Sequence, residues 1–209
     1  MNNEKGKSSD LFSGLRCFAL DTITSFCFAK SVDALGEPDF KAPIIEAMEA
    51  SLPASIVFKH FSMIRKVVFA MPPWLSALTI PKMAGLTRLQ QLLGAQVKEV
   101  TSNPYSLLEA PHKIIYNELL SPQANGGGKV PNATSLYEEA QALTFGGADT
   151  NGNVLMLGVF NMLEQPPLMA RLRKELLDVW PVFENAPPKF EELEKLPLLV
   201  SELPFCLNL

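Results

Sequence analysis

The stretch from Ser135 to Gln165, SLYEEAQALTFGGADTNGNVLMLGVFNMLEQ, decides the fold. Ser135 and Glu138 form an S-x-x-E capping box, which predicts a helix start at Ser135. Pro166-Pro167 predicts its end, because proline blocks the helical ladder and disfavours the α region in the residue before it. The mostly apolar run between them would make a helix about 45 Å long at 1.5 Å per residue. Its middle carries two adjacent glycines, Gly146 and Gly147, each costing roughly 1 kcal/mol against alanine in a helix interior. A long helix with such a weak centre offers a backbone that another group can approach closely. Thr150 lies one turn beyond Gly146 on the same face, where its hydroxyl can reach the Gly146 carbonyl. Asp149 puts a carboxylate next to it. A plainer reading makes the glycine pair a break between two core helices, with Asp149 capping the second. These residues alone leave both readings open.

Gly146-Gly147-Ala148-Asp149-Thr150 resembles the A/G-G-x-D/E-T signature of the oxygen-activating helix in cytochrome P450 haem-thiolate monooxygenases. The flanks fit as well: Glu138 to Leu143 before it, Asn161-Met162-Leu163 and Pro166-Pro167 after it. Asn151 stands where the family often has a second Thr or Ser. The resemblance implies that Gly146 and Gly147 let haem and dioxygen sit against the helix. It implies that Thr150 hydrogen-bonds at the oxygen site and holds a water, and that Asp149 helps to pass protons in from solvent. The oxidising power would belong to a haem b that the protein positions and tunes.

Length and composition set the outer limits. A chain of 209 residues can bury a substantial core, and 47% apolar with 19% charged residues reads as globular. The net charge of -4 gives no basic footprint for nucleic acid. Three widely spaced cysteines, Cys17, Cys27 and Cys206, match neither a disulfide framework nor a zinc site, so a reducing, intracellular setting is expected. No metal ligand is assigned; His60 and His112 stand alone. No charge-free apolar stretch of membrane-spanning length is present, and the polar start is no signal peptide. Complete relatives of the resembled family are commonly anchored to the endoplasmic reticulum, and no such anchor is expected in this chain. Asn132-Ala133-Thr134 has the form of a glycosylation sequon but lacks a secretory context.

An all-α fold follows along the chain, since no strand pattern or repeat stands out. Residues 1–10 read as a polar tail, 11–199 as a partial helical domain and 200–209 as an aberrant tail. Leu11 to Lys30 has a helical apolar face of Leu11, Leu15, Phe18, Thr22, Ile23 and Phe26, closed by Gly36-Glu37-Pro38. Asp21-x-Ile23-Thr24-x-Phe26-x-Phe28 resembles the buried helix that opens the family's central bundle. A helix is expected near Pro43, another from Pro81 to Thr101 with Leu86, Leu89, Leu93, Val97 and Val100 on one face, and a short one over Lys113 to Leu120. A loop spans Ser121 to Pro131; its Gly126-Gly127-Gly128-Lys129 lacks the leading glycine and trailing Ser or Thr of a phosphate-binding loop. Pro167 to Trp180 forms the next helix, with Leu168, Leu172, Leu176 and Val179 inward and Arg171, Arg173, Lys174 and Glu175 mostly solvated. Between Leu52 and Ile80, large apolar residues crowd around Lys59, His60, Arg65 and Lys66, a pattern suited to a membrane surface or a partner helix and equally to an ordinary core helix followed by a Pro-Pro loop.

The resemblance runs from about Leu11 to Leu199, the central helices of the family's fold, incomplete at both ends. Where an E-x-x-R helix should follow, Glu202 is trailed at the third place by Phe205, with Pro204 between. No cysteine sits in an F-x-x-G-x-R-x-C-x-G context, the source of the iron thiolate. The first expectation is thus a truncated monooxygenase of fungal secondary-metabolism type, inactive as these 209 residues and holding haem unstably. Its complete form would take a small apolar organic substrate and electrons from a reductase. The second is a non-catalytic helical protein that binds a membrane or partner helix through residues 52–80. No di-iron E-x-x-H pair or aspartate-rich prenyl-phosphate motif points elsewhere.

Overall fold

A computed structural model describes residues 10–61, 63, 84–123, 130–182, 184 and 186–200. Every regular element among them is helical. In order they are α1 (Leu11–Phe28), two short 3-10 turns (Ala34–Gly36 and Pro38–Phe40), α2 (Pro43–His60), α3 (Ala84–Ser102), a 3-10 turn (Pro104–Leu108), α4 (Ile115–Leu119), α5 (Ala133–Glu164), α6 (Pro166–Val179) and α7 (Phe190–Leu193). The chain packs as two compact units, residues 1–152 and 153–209, whose boundary falls within α5.

Asp10 starts α1 by accepting from the Ser13 amide at 3.2 Å and its hydroxyl at 2.7 Å. The helix ends at Phe28, before the position expected from sequence, with Ala29 left-handed at φ 54°. Gln96 of α3 donates its side-chain amide to the Phe28 carbonyl at 2.7 Å, satisfying an end that would otherwise be orphaned. Asp21 explains the next turn of the chain. Its carboxylate accepts from the Ser31 hydroxyl at 2.8 Å and the Ala34 and Leu35 amides at 2.9 Å.

The buried side of α1 is not the expected face. Arg16, Cys17, Ala19, Leu20, Thr24, Cys27 and Phe28 are buried, whereas Phe18 is 49% and Phe26 70% exposed. The physical reason is that α1 is apolar nearly all round, so a 3.6-residue period fits two stripes. The stripe through Phe18 and Phe26 is the one left exposed. Both Arg16 and Asp21 turn toward partners, and the small residues beside them allow close helix approach. By length and composition α1 is also the one described helix that could cross a membrane, but its stripe of buried residues and its two charges suit a core helix.

Leu20, Phe28, Met48, Leu89, Leu93, Val97, Tyr116 and Leu136 form the heart of the first unit. Each such residue contributes about 1.5–3 kcal/mol by leaving water. The expected α3 face is met at Leu89, Leu93, Val97 and Val100. α2 begins at Pro43 as anticipated and packs along α3. The Tyr116 ring lies tilted against Phe28 with centroids 5.8 Å apart, and its hydroxyl is buried without a partner among the described residues.

α5 begins three residues earlier than a cap at Ser135 implies. Asn132 accepts from the Ser135 amide at 2.9 Å, so Asn132 is the cap and the Ser135–Glu138 box lies inside the helix. Pro166-Pro167 both ends α5 and opens α6, whose first turn tolerates proline. In the second unit Leu168 is buried, as expected, but Val179 is 38% exposed. Glu175 is not simply solvated: its two oxygens accept from the Leu198 and Leu199 amides at 3.0 Å, capping the helical turn at 197–200. Residues 62 and 64–80, the Gly126–Lys129 run, the first nine residues and the 201–209 tail with Cys206 lie outside the described residues.

Candidate functional site on the long helix

Residues 146–152 of α5 lie in the first unit, and the helix runs through them unbroken. Asp149 therefore caps no second helix. The sequence reading that split α5 at the glycine pair is excluded, because the tertiary contacts offset the glycine penalty.

The two glycines serve different sides. A Cβ on Gly147 would lie 2.5 Å from Ile23 Cγ1, so only hydrogen fits where α1 crosses. At Gly146 a Cβ would meet nothing within 4 Å. Ala148, fully buried, points into the core between them. Thr150 is exposed beside Gly146, and its hydroxyl donates to the Gly146 carbonyl. That back-bond competes with the helix ladder and loosens it where the surface is bare.

Asp149 turns to the α1 side. Arg16 donates from Nη2 to Asp149 Oδ1 and from Nη1 to Glu49 Oε1 of α2. The Arg16 side chain is 5% exposed, and its guanidinium sits 5.2 Å over the Phe12 ring. A Cβ on Gly152 would lie 2.7 Å from Arg16 Cγ and 3.1 Å from its Cα. Asp149 and Gly152, three residues apart on one face, together receive the arginine.

Sequence reasoning missed Arg16, Glu49 and Gly152. One signal was present: an arginine in the middle of an apolar helix is either solvated or paired when buried, and its stripe decides which. Cys17 and Cys27 lie in α1 and carry no reactive character. Burial pushes the thiols of both Cys17 and Cys27 up, and Cys17 donates to the Phe40 carbonyl at 3.3 Å. His112 stacks on Phe26, and its Nε2 lies 3.0 Å from the Phe26 carbonyl.

These features define a helical protein whose long helix presents bare backbone, a hydroxyl and a clasped carboxylate. The family model for cytochrome P450 matches residues 1–202, and the chain belongs to that family. Similar proteins are fungal. They include the cytochrome P450 monooxygenase flvC of Aspergillus flavus, 26% identical over 99% of this chain and 38% of the relative. A cytochrome P450 monooxygenase of the grayanic acid biosynthesis cluster of Cladonia grayi is 26% identical over 95% of this chain and 37% of its own length. The tryptophan 6-hydroxylase fscE of Fusarium equiseti is 27% identical over 99% and 40%. The chain thus spans about two fifths of the length of these relatives.

The family implies haem, and the described residues fit one side of it. The open space at Gly146, flanked by exposed Ala142 and Thr150, leaves a strip of α5 free to face a flat macrocycle. On the ligand side, neither Cys17 nor Cys27 fits, since a thiolate ligand needs an accessible sulfur with a lowered pKa.

Proposed function

We propose that this chain supplies the oxygen-activating helix of a monooxygenase that inserts one oxygen atom from O2 into a small organic molecule of fungal secondary metabolism. The observation that carries the reading is the Gly146–Thr150 pair, with bare backbone and a hydroxyl bonded to its own carbonyl on one exposed strip. When bound, haem supplies the redox chemistry that cleaves O–O and attacks the substrate. Gly146 admits the group to the backbone. Thr150, whose hydroxyl can switch from the Gly146 carbonyl, holds a water or donates a hydrogen bond at the open strip. Asp149, partly exposed, takes protons from solvent and hands them to that water. Its bond to Arg16 keeps the carboxylate in place between transfers. A reductase would deliver the electrons, and the relatives' names suggest hydroxylation as one outcome.

We further infer that these 209 residues alone form no thiolate-ligated haem. Support comes from the buried, inert setting of Cys17 and Cys27 and from the sequence around Cys206, which lacks the F-x-x-G-x-R-x-C-x-G pattern. Haem titration of the chain, followed by reduction under carbon monoxide, should give no thiolate-type Soret band; such a band would overturn this point. In the complete enzyme, Thr150→Ala should divert most reducing equivalents to peroxide, with a loss of coupled turnover on the order of a hundredfold. Unchanged coupling would remove Thr150 from the reaction.

A second reading concerns the end of α2. Val57, Phe61 and Met63 are 41%, 59% and 79% exposed beside Lys59 and His60. This end would lie on an anionic membrane surface. Co-sedimentation with vesicles containing anionic lipid should fall on Phe61→Ser; equal co-sedimentation would count against it.

A further inference from the structure

Arg16 holds two carboxylates with one guanidinium, and neither is held fully. Among the described residues, Asp149 accepts from Nη2 only, while Nε on the same edge of the guanidinium is buried without a partner. Glu49 accepts from Nη1 only. A carboxylate alone with an arginine normally takes two parallel N–H bonds. Here two acids on two helices divide the fork between them. Gly152 bounds the stem from the same helix as Asp149, so Arg16 cannot withdraw from α5 without leaving its packing.

We propose that Arg16 is the positioning residue for Asp149 and that Glu49 sets how firmly Asp149 is held. While Glu49 occupies Nη1, Asp149 keeps a single bond and can turn toward the Thr150 side. When Glu49 leaves, the guanidinium swings toward Asp149, whose second oxygen closes on Nε and locks the carboxylate. The position of α2 thereby governs the mobility of the α5 acid. This rests on the reading of Asp149 as a proton carrier, but its test does not pass through activity.

The measurement is the Arg16 Nε–H resonance in the isotope-labelled full chain, identified by its loss in Arg16→Lys. Glu49 is half exposed on a helix, so Glu49→Ala, which removes the acceptor from Nη1, should fold. In Glu49→Ala the resonance should move downfield and its hydrogen exchange slow about fivefold, the factor one net hydrogen bond gives. In Asp149→Ala it should not slow. An unchanged resonance in Glu49→Ala, or equal slowing in both variants, overturns the proposal. Unfolding provides the second arm. The Glu49→Ala, Asp149→Ala double variant should lose at least about fivefold more in its folding constant than the two single effects multiplied, because only then is the arginine without either carboxylate. Multiplicative effects would refute shared occupancy. If both arms hold while the complete enzyme transfers no oxygen, the assigned function fails and the coupling stands; the reverse pattern removes the coupling alone.

Discussion

The two sides of α5 around Asp149 are built on opposite principles. On the α1 side, Gly147 and Gly152 are filled spaces: Ile23 and the Arg16 stem occupy the volume where a methyl group would go. On the other side, Gly146 is an unfilled one, with Thr150 next to it and nothing within 4 Å of a Cβ. Glycine therefore means close packing at 147 and 152 and free access at 146. Only the second kind leaves room for a ligand. The carboxylate between them belongs to both sides, clasped by Arg16 yet one residue from Thr150.

Alanine at each glycine separates the two principles, and these variants carry the largest expected effects. Gly147→Ala and Gly152→Ala should destabilise the chain by about 2 kcal/mol each, overpacking outweighing the gain in helix propensity. Gly146→Ala should instead stabilise it by up to about 1 kcal/mol, since no neighbour opposes the added methyl. Denaturant unfolding of the three variants reads the signs directly. A loss at Gly146 equal to that at Gly147 would erase the distinction between the two sides.

The core beneath α1 offers a smaller test of the same logic, that an unpartnered group is a cost unless something uses it. The Tyr116 hydroxyl is buried with no acceptor among the described residues, and burial raises its phenol pKa. Tyr116→Phe should stabilise by about 1 kcal/mol by removing an unsatisfied donor. The sign of its pH effect is fixed. An acid whose folded pKa is raised costs stability once the unfolded phenol ionises, above about pH 10. The wild type should weaken there more steeply than Tyr116→Phe. Parallel curves and a destabilised variant would mean that the hydroxyl has a partner.

How much of this was legible in the sequence depends on how local the cause was. The helices, the proline stop at 166–167 and the reach of the Thr150 hydroxyl to the Gly146 carbonyl follow from short-range chemistry, and those readings agree with the structure. The start of α5 differs by three residues because two capping residues, Asn132 and Ser135, lie within one turn and Asn132 caps the helix. The buried stripe of α1 differs from the expected one because the helix is apolar nearly all round, and its two charges are answered from far along the chain. Arg16 meets Glu49 and Asp149; Asp21 meets amides more than ten residues on. Such pairings have no period to read. The same holds for the glycine pair, whose two members look alike until Ile23 is placed beside one of them.

The smallest expected effect lies at the start of α1, where the clasp on the packed side of α5 can be loosened without touching it. Asp10 caps the helix, and the Ser13 hydroxyl and amide hold its carboxyl below the usual range. Phe12, in the turn so capped, is the ring that covers the Arg16 guanidinium. Asp10→Ala should cost about 1 kcal/mol, the ordinary value of an N-cap, and should fray that turn. A depressed folded pKa contributes stability above the unfolded value near 3.9 and loses it as pH falls through the folded one. Asp10→Asn, which caps without ionising, should keep most of the wild-type stability at neutral pH and lose less of it below about pH 4. Hydrogen exchange at the first-turn amides is the measurement. If Asp10→Ala leaves them as protected as in the wild type, packing against the core, not the cap, fixes the start of α1, and the Arg16 clasp does not depend on Asp10.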